Sequence, residues 1–302
     1  MKVFISTSSF GMVDRTPLDM LSEHGLEYEL NPFKRTLTQD EILFFLGKGD
    51  YQGIIAGVEP LNEEVLSKAG NLKVISRVGV GLDNVDLEAA QRMGIKVYTT
   101  PGALIDSVAE LTVGLILNAL RKINFQDKEL KKGIWKKRMG CLLKGKKVGI
   151  IGCGHIGMRV AEILNFMRAE IMVYDVRKIS SPFPQVELEY LIRQADIITL
   201  HASGSKSILT KEKISQLKEG VIVVNTARGE LIDEDALVQA LKDGQVSWAC
   251  LDVFRKEPYQ GPLRELDNVT LTPHIGSYAK EARFQMEVEA VKNLLKGLGL
   301  EN

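Results

Sequence analysis

Three side chains in the last third of the chain could together hold an anion and transfer a proton. Arg228 follows the apolar run VIVVNTA, Glu257 follows CLDVFRK, and His274 follows LTP. Such runs predict buried strands, and ligands of parallel sheets bind beyond the carboxyl ends of the strands. We therefore expect these side chains at one edge of a sheet. Taken singly, they have ordinary interpretations: a surface charge, a residue of the turn before Pro258 and a structural histidine.

Together the three side chains suit the reduction of a 2-keto acid. A guanidinium can hold the substrate carboxylate with two parallel hydrogen bonds and polarise the neighbouring carbonyl. The charge that develops on the carbonyl oxygen needs a proton, which a histidine can deliver near neutral pH. A carboxylate beside that histidine would fix its tautomer and raise its pKa. Arg228, Glu257 and His274 are therefore the candidate catalytic residues.

A glycine-rich loop earlier in the chain predicts a dinucleotide site. In VGIIGCGHIG, the residues Gly152, Gly154 and Gly157 form the GxGxxG pattern between a predicted strand and a predicted helix. The three glycines permit a tight turn, a close approach to a pyrophosphate and close packing of helix on strand. Asp175 ends the next predicted strand, where a carboxylate can bind the ribose hydroxyls and repel a 2′-phosphate. This carboxylate favours NAD over NADP, although Arg177, two residues further on, leaves NADP as an alternative cofactor. The alternative to a nucleotide site is a purely structural turn.

Composition narrows the classes of function. A chain of 302 residues is long enough for two domains. Lys and Arg together number 39, as do Asp and Glu, so no net field attracts nucleic acid or a membrane. One basic stretch, at 128–147, is interpreted as a solvated helix face and loop, with a nucleic-acid patch as the alternative.

The cysteines and the apolar runs point to a cytoplasmic protein. Cys141, Cys153 and Cys250 are odd in number and have no CxxC spacing, which argues against a disulfide framework and against a metal site such as zinc. The apolar run LTVGLILNAL is shorter than the ~18 residues that a membrane span needs. The apolar core of MKVFISTSSF is too short for a signal peptide. We expect a cytoplasmic protein with neither a metal nor a membrane partner.

Short apolar runs alternate with helical patterns along the whole chain. The predicted strands are KVFIS, GIIAG, KVISRV and IKVYT in the first hundred residues, then KVGIIG, EIMVYD, DIITLH, VIVVNT and VSWACLD. Thr38 and Glu41 predict a capping box at the start of one helix. Alternation of this kind predicts parallel sheets covered by helices. The predicted fold class is α/β, with two doubly wound, Rossmann-like domains.

Two long helical patterns suggest how the domains are connected. SVAELTVGLILNALRKI lies between the two series of strands, and YAKEARFQMEVEAVKNLLKGL ends the chain. We expect the last helix to return to the first domain. A nucleotide-binding domain of residues 103–278 is then inserted into a substrate domain of residues 1–102 and 279–302.

Five motifs, in order, closely resemble the D-2-hydroxyacid dehydrogenase family: SRVGVGLDNVDLEAA, GCGHIG, NTARGELIDEDAL, LDVFRKEP and LTPHIGSY. The resemblance covers essentially the whole chain. Among members, the sequence is most similar to the short phosphoglycerate dehydrogenases. Because the chain ends directly after the last helix, we expect no C-terminal regulatory domain.

The resemblance implies NAD as the cofactor and a role for each matched residue. Arg228, Glu257 and His274 become the catalytic set, with His274 as the proton donor. The implied contacts with the cofactor are Thr226, Ala227 and Asp252 at the nicotinamide end and His155 and Ile156 at the pyrophosphate.

The resemblance also gives the first domain a function. It implies that this domain closes over the substrate, and that Arg77, Val78 and Gly79 reach the substrate carboxylate or phosphate. SVAELTVGLILNALRKI is apolar around more of its circumference than one sheet requires. In the family this helix lies in a two-fold interface, so we expect a homodimer. A helix in the core between the domains is the alternative.

The implied reaction is hydride transfer between nicotinamide and a D-2-hydroxy acid. The first choice of substrate is 3-phosphoglycerate, with 3-phosphohydroxypyruvate as product, as in serine biosynthesis; hydroxypyruvate, glyoxylate or another small 2-keto acid is the alternative. The chain departs from the family at Ser203 in LHASGS and at Leu104 in PGAL. It also has AGVEP where many phosphoglycerate dehydrogenases carry an arginine. A binding protein of another class, an NAD-sensing co-repressor, shares the fold.

Overall fold

The computed structural model describes residues 1–301 and divides into two compact units. The first unit comprises Met1–Leu104 and Ser277–Asn302, and the second comprises Ile105–Gly276. Because the second unit is one uninterrupted segment, it is inserted into the first. The boundaries predicted from the sequence, after residues 102 and 278, each lie two residues from these divisions.

The first unit contains a five-stranded parallel sheet with the order β2-β1-β3-β4-β5. Its strands are β1 (Lys2–Ile5), β2 (Glu27–Leu30), β3 (Tyr51–Ala56), β4 (Val74–Arg77) and β5 (Lys96–Tyr98). Its helices are α1 (Thr16–Glu23), α2 (Gln39–Lys48), α3 (Glu63–Lys68), α4 (Leu87–Arg92) and, after the second unit, α11 (Lys280–Leu298). The strand order reverses between β1 and β3, as in doubly wound sheets.

Two predicted features of this unit are confirmed. Thr38 caps α2 reciprocally: its side chain accepts from the N–H of Glu41, and the Glu41 carboxylate accepts from the N–H of Thr38. The last helix packs on the first sheet. Ser76 Oγ on β4 donates to the carbonyl of Ala290 at 2.7 Å, and Leu294 fills the space beside Gly53.

The second unit contains a six-stranded parallel sheet with the order β11-β10-β9-β8-β6-β7. Its strands are β6 (Lys147–Ile151), β7 (Glu170–Tyr174), β8 (Ile197–Leu200), β9 (Val221–Asn225), β10 (Val246–Leu251) and β11 (Val269–Leu271). Its helices are α5 (Ile105–Arg121), α6 (Ile123–Lys131), α7 (His155–Phe166), α8 (Leu188–Gln194), α9 (Lys211–Ile214) and α10 (Glu234–Lys242).

A seventh position of this sheet is reduced to one residue pair. Beyond β7, Val173 pairs with Gln185 in a single parallel bridge. Counted as the third strand in chain order, this bridge gives the 3-2-1-4-5-6 order of dinucleotide-binding sheets, with β11 added at the far edge. The predicted fold class is confirmed.

Helix α5 is the main apolar helix of the second unit. It packs against α7, β9 and β10, and its buried residues include Val113, Ile116 and Leu120. By length and composition alone, Gly102–Arg121 is long and apolar enough to cross a membrane, because the helix extends beyond the run counted in the sequence. Half of that window is buried in the fold. Core packing therefore accounts for much of its apolar character.

The sequence pattern does not give every element or its boundaries. β2 is an edge strand of four residues, EYEL, and includes two glutamates. Its two end residues, Glu27 and Leu30, are exposed. α6 buries none of its residues fully, and its last residues lie in the basic stretch interpreted from the sequence as a solvated helix face. The sequence predicts one helix through to Ile123, but Lys122 takes a left-handed conformation with φ +52° and separates α5 from α6.

Candidate active site

Three neighbouring strands bring the predicted catalytic residues to one edge of the second sheet. Arg228 lies three residues beyond β9, Glu257 six residues beyond β10 and His274 three residues beyond β11. β9, β10 and β11 are adjacent and parallel, so their carboxyl ends meet at the same edge. Residues far apart in the sequence are therefore neighbours in the fold.

His274 and Glu257 form a direct pair. Nδ1 of His274 lies 2.8 Å from Oε2 of Glu257, and the other carboxylate oxygen accepts from the N–H of Phe254 at 3.0 Å. The hydrogen bond to Glu257 raises the pKa of His274, and the charge of the carboxylate raises it further. Burial lowers this pKa but does not cancel the rise. Burial alone would raise the pKa of Glu257, but the bond and charge of His274, together with the Phe254 N–H bond and the charge of Arg228, lower that pKa. The imidazole is half exposed, so a substrate can reach it.

Arg228 contributes a positive charge beside this pair. Its guanidinium lowers the pKa of both Glu257 and His274, although other causes are larger for each. Its Nη1 donates to the carbonyl of Ala227 at 2.7 Å, and its own carbonyl accepts from Asn225 Nδ2 at 2.7 Å. Both bonds hold the loop after β9 in one conformation. Within residues 1–301, no three His, Cys, Asp or Glu side chains are grouped to hold a metal ion.

Gly229 lets this loop lie directly against the loop that follows β10. A Cβ at Gly229 would overlap the backbone of Phe254 and Arg255. Only glycine allows the two backbones to approach so closely. The NTARG motif therefore needs its glycine to keep Arg228 next to the loop that ends in Glu257.

Asp252 holds the backbone on both sides of His274. Its Oδ1 accepts from the Thr272 hydroxyl at 2.6 Å and the Ile275 N–H at 2.8 Å, and its Oδ2 accepts from the Gly276 N–H at 2.8 Å. His274 itself has φ +54°, a left-handed conformation that is uncommon outside glycine. The resemblance placed Asp252 at the nicotinamide end; its bonds give it a second role, fixing the His274 loop. The sequence carries no signal for this role because two of the three bonds go to backbone N–H groups.

The glycine-rich loop has the geometry that a dinucleotide needs. Gly152 has φ +88°, and a Cβ there would overlap the backbone of Ala202. A Cβ at Gly157 would overlap the carbonyl of Gly152, so α7 lies directly against the loop. At Gly154, by contrast, a Cβ would meet none of the described residues within 4 Å. That open side, at the start of α7, fits a pyrophosphate bound to helix N–H groups.

Asp175 follows β7 directly and lies beside the glycine-rich loop. Its Oδ2 accepts from the Cys153 N–H at 3.0 Å, and its Oδ1 accepts from Arg177 N–H at 3.0 Å and Arg177 Nε at 3.3 Å. Burial alone would raise the pKa of Asp175, but these bonds outweigh it and lower that pKa. The carboxylate is therefore ionised and fixed in place, as a ligand for ribose hydroxyls must be.

The remaining residues assigned to the cofactor lie at the same edge of the sheet. Thr226 is buried after β9, with its hydroxyl 2.9 Å from that of Thr112 on α5, and Ala227 follows it. His155 is exposed at the first position of α7, next to the partly buried Ile156. The contact made by Thr112 has no signal in the sequence, since a threonine inside an apolar helix indicates no function.

A second histidine at this edge is unsuited to proton transfer. His201 directly follows β8, and its Nε2 lies 2.9 Å from the Thr199 hydroxyl. Burial lowers the pKa of His201 to about 3, so it stays neutral at ordinary pH. The structure therefore distinguishes His274, whose pKa is raised, from His201.

In the first unit, Arg77, Val78 and Gly79 form a tight turn at the end of β4. Gly79 has φ +143°, its N–H donates to Thr100 Oγ1 at 2.9 Å, and its carbonyl accepts from the Thr100 N–H at 3.0 Å. Arg77 is buried and donates from Nη1 to the carbonyl of Val78. The guanidinium lies so close that a Cβ at Gly79 would be 2.8 Å from Nη1.

The loop after β3 has a buried carboxylate that the sequence pattern does not indicate. Glu59 is 1% exposed, and it accepts from the Ser6 hydroxyl and, at 3.1 Å, from the Gly57 N–H. Burial raises its pKa, while these bonds and the charge of Arg77 oppose the rise. Arg77 therefore has an acidic neighbour in its own unit.

Comparison with known proteins decides the family. The model of the D-isomer specific 2-hydroxyacid dehydrogenase NAD-binding domain matches residues 113–276, more than half of the chain. The chain belongs to this family. It is an NAD-dependent oxidoreductase that acts on the CH–OH group of D-2-hydroxy acids, and its residues Gly152, Gly154, Gly157 and Asp175 fit the nucleotide as described above.

The relatives of this dehydrogenase differ in substrate. Hydroxypyruvate reductase of Thermotoga maritima is 37% identical over 96% of this chain and 94% of its own length. D-3-phosphoglycerate dehydrogenase of Archaeoglobus fulgidus is also 37% identical over 96% of this chain, which spans 57% of that relative's length. The crystal structure of the TT0316 protein from Thermus thermophilus has a TM-score of 0.91 and 36% identity, covering 99% of this chain and 97% of that chain.

Proposed function

We propose that the enzyme uses NADH to reduce hydroxypyruvate or a similarly small, unphosphorylated 2-keto acid. The observation that carries the reaction is the 2.8 Å contact between His274 Nδ1 and Glu257 Oε2, with Arg228 beside it. Bound NADH supplies the hydride to the carbonyl carbon. Binding, orientation and proton transfer fall to the protein.

Each member of the set has one role. Arg228 binds the substrate carboxylate and stabilises the negative charge that grows on the carbonyl oxygen. His274 donates the proton to that oxygen. Glu257 accepts from Nδ1–H of His274, which fixes the ring and favours its protonated form before the reaction. In the oxidation direction the same histidine accepts the proton, so it must begin neutral.

The first unit supports an unphosphorylated substrate. A phosphate carries nearly two negative charges and is bound in proteins by several cations or N–H groups. The loop after β3 reads AGVEP and contributes Glu59 instead of a cation. Residues 56–60 of this loop contain no Lys, Arg or His, so the loop adds no cation to Arg77 for a second anionic group. We therefore propose hydroxypyruvate as the substrate in place of 3-phosphoglycerate, the first choice from the sequence.

The second candidate remains 3-phosphohydroxypyruvate, because Arg77 is a buried cation at a strand end in the unit assigned to the substrate. Steady-state kinetics with both keto acids test the choice. We expect a kcat/KM at least tenfold higher for hydroxypyruvate. Arg77→Ala should change kcat/KM for both compounds by the same factor, since a guanidinium that binds no phosphate cannot distinguish them.

Arg92→Ala is the matched control, since Arg92 is exposed in the same unit and pairs only with Glu63 among the bonds described. A wild-type preference for 3-phosphohydroxypyruvate that Arg77→Ala selectively removes would contradict the proposal and restore phosphoglycerate as the substrate.

We also propose that the enzyme is a homodimer. The segment after α6 exposes four large apolar side chains within nine residues: Ile134 (46%), Trp135 (83%), Met139 (90%) and Leu142 (70%). Apolar side chains concentrated in this way are typical of protein interfaces. Since α5 uses much of its apolar surface inside its own unit, the interface would rest on residues 134–142 more than on that helix.

A further inference from the structure

The chain between β7 and α8 forms a closed loop beside the ribose-binding carboxylate. It begins at Asp175 and ends at Gln185, where the single bridge to Val173 replaces a full strand. The bridge is made by two backbone bonds: the Val173 N–H donates to the carbonyl of Pro184 at 3.0 Å, and the Val186 N–H donates to the carbonyl of Val173 at 2.9 Å. These bonds fix the backbone of Gln185 relative to the sheet.

The side chain of Gln185 connects both ends of this loop. Its Nε2 donates to the carbonyls of Asp175 at 3.2 Å and Arg177 at 2.7 Å, and its Oε1 accepts from the Ile179 N–H at 3.2 Å. One exposed amide thus satisfies three backbone groups of residues 175–179. Ordering a long exposed side chain has an entropic cost, which these three bonds offset.

We infer that Gln185 is a positioning residue for cofactor selection. Asp175 can bind ribose hydroxyls only if its carboxylate is held at the right place, and its backbone is held by Gln185. A loop fixed before binding does not have to be ordered by the ligand, which raises affinity. A fixed Asp175 also keeps its charge where a 2′-phosphate would have to sit.

Arg177 makes the discrimination depend on loop position. Its guanidinium is 74% exposed and lies 3.3 Å from Asp175 Oδ1. If the loop is released, the Asp175 carboxylate loses the bonds from Arg177 and keeps only the one from the Cys153 N–H, and Arg177 can approach a phosphate. Loss of Gln185 therefore weakens NADH binding and leaves NADPH binding unchanged or improved. This inference rests on the ribose-binding role proposed for Asp175.

The test measures dissociation constants of NADH and NADPH by fluorescence titration, together with kcat at saturating NADH. Gln185→Ala should raise the Kd of NADH about tenfold, leave that of NADPH within about twofold, and leave kcat unchanged. Gln185→Glu, which keeps the length but loses both donors, should behave like Gln185→Ala. Gln216→Ala is the matched control, since Gln216 is an exposed glutamine of the same unit whose side chain is bonded to Arg193.

A double-mutant cycle with Asp175→Ala separates positioning from general stability. Because Gln185 acts through Asp175, adding Gln185→Ala to Asp175→Ala should change the NADH/NADPH preference no further. Unchanged NADH binding in Gln185→Ala would overturn the inference, and so would equal weakening of both nucleotides. If Asp175→Ala alone leaves the preference intact, the proposed role of Asp175 fails instead.

Discussion

His274 keeps its left-handed backbone conformation because hydrogen bonds to Asp252 hold the residues on both sides of it. Asp252 accepts from Thr272, Ile275 and Gly276, and it is almost fully buried. A non-glycine residue in this conformation costs roughly 1–2 kcal/mol, which these bonds offset. The imidazole is thereby held against Glu257 before any substrate arrives. Preorganised groups of this kind are what acid–base catalysis requires.

Removal of the imidazole should abolish proton transfer and spare cofactor binding. We expect His274→Ala to lower kcat by roughly 10²–10⁴-fold, the usual contribution of a positioned general acid. The Kd of NADH, measured by fluorescence, should change little, because the nucleotide residues lie on other loops. His24→Ala, on the exposed end of α1, serves as the control. A loss of kcat smaller than tenfold would mean that another group supplies the proton.

At the scale of elements, the start of α7 depends on the close approach of Gly157 to the backbone of Gly152. A Cβ at position 157 would overlap the Gly152 carbonyl, and backbone cannot move aside as a flexible side chain can. Gly157→Ala should therefore lower the free energy of unfolding by about 1–3 kcal/mol, the usual cost of overpacking. It should also weaken NADH binding, because α7 must shift.

The matched control is Gly47→Ala in α2, where a Cβ would be 3.8 Å from Lys68 Cβ. That substitution should be neutral or stabilise the helix by about 0.5–1 kcal/mol, the helical advantage of alanine. Chemical denaturation of both variants gives the comparison. If Gly157→Ala proves as stable as wild type and binds NADH equally well, the close packing argued for this loop is wrong.

The elements that position the site could be predicted because their signals are local. Strands such as KVGIIG and VIVVNT are continuous apolar runs buried on both faces, and their strand–loop–helix context places Gly152 and Arg228 at a sheet edge. Asp252, Gln185 and Glu59 could not be assigned their contacts, because their partners are backbone groups or residues distant in sequence. Such contacts exist only after the chain has folded. The edge strand β2 could not be predicted because the four alternating residues EYEL are too short a signal, and the break between α5 and α6 could not be predicted because Lys122 is not a residue type that marks the end of a helix.

At the scale of the whole molecule, the proposed homodimer depends on residues 134–142. A charge at the most exposed apolar positions should oppose burial of this segment, so Trp135→Glu and Met139→Glu should each shift the protein toward monomer. Light scattering at micromolar concentration gives the mass. Phe166→Glu, at an equally exposed apolar residue at the end of α7, should leave the dimer intact. A monomeric wild type would contradict the dimer.

The central claim is that Glu257, in the loop after β10, and His274, in the loop after β11, form a proton-transfer pair. Glu257→Gln tests this claim most directly. The pH dependence of kcat is measured in both directions for wild type and variant. Glu257 raises the pKa of His274, so its neutralisation should lower that pKa. Reduction needs protonated His274. The kcat for reduction should therefore begin to fall with rising pH at a lower pH in the variant than in wild type. Oxidation needs neutral His274, so its acidic limb should also move to lower pH. Profiles that stay in place in both directions would show that Glu257 does not control His274 and would contradict the mechanism.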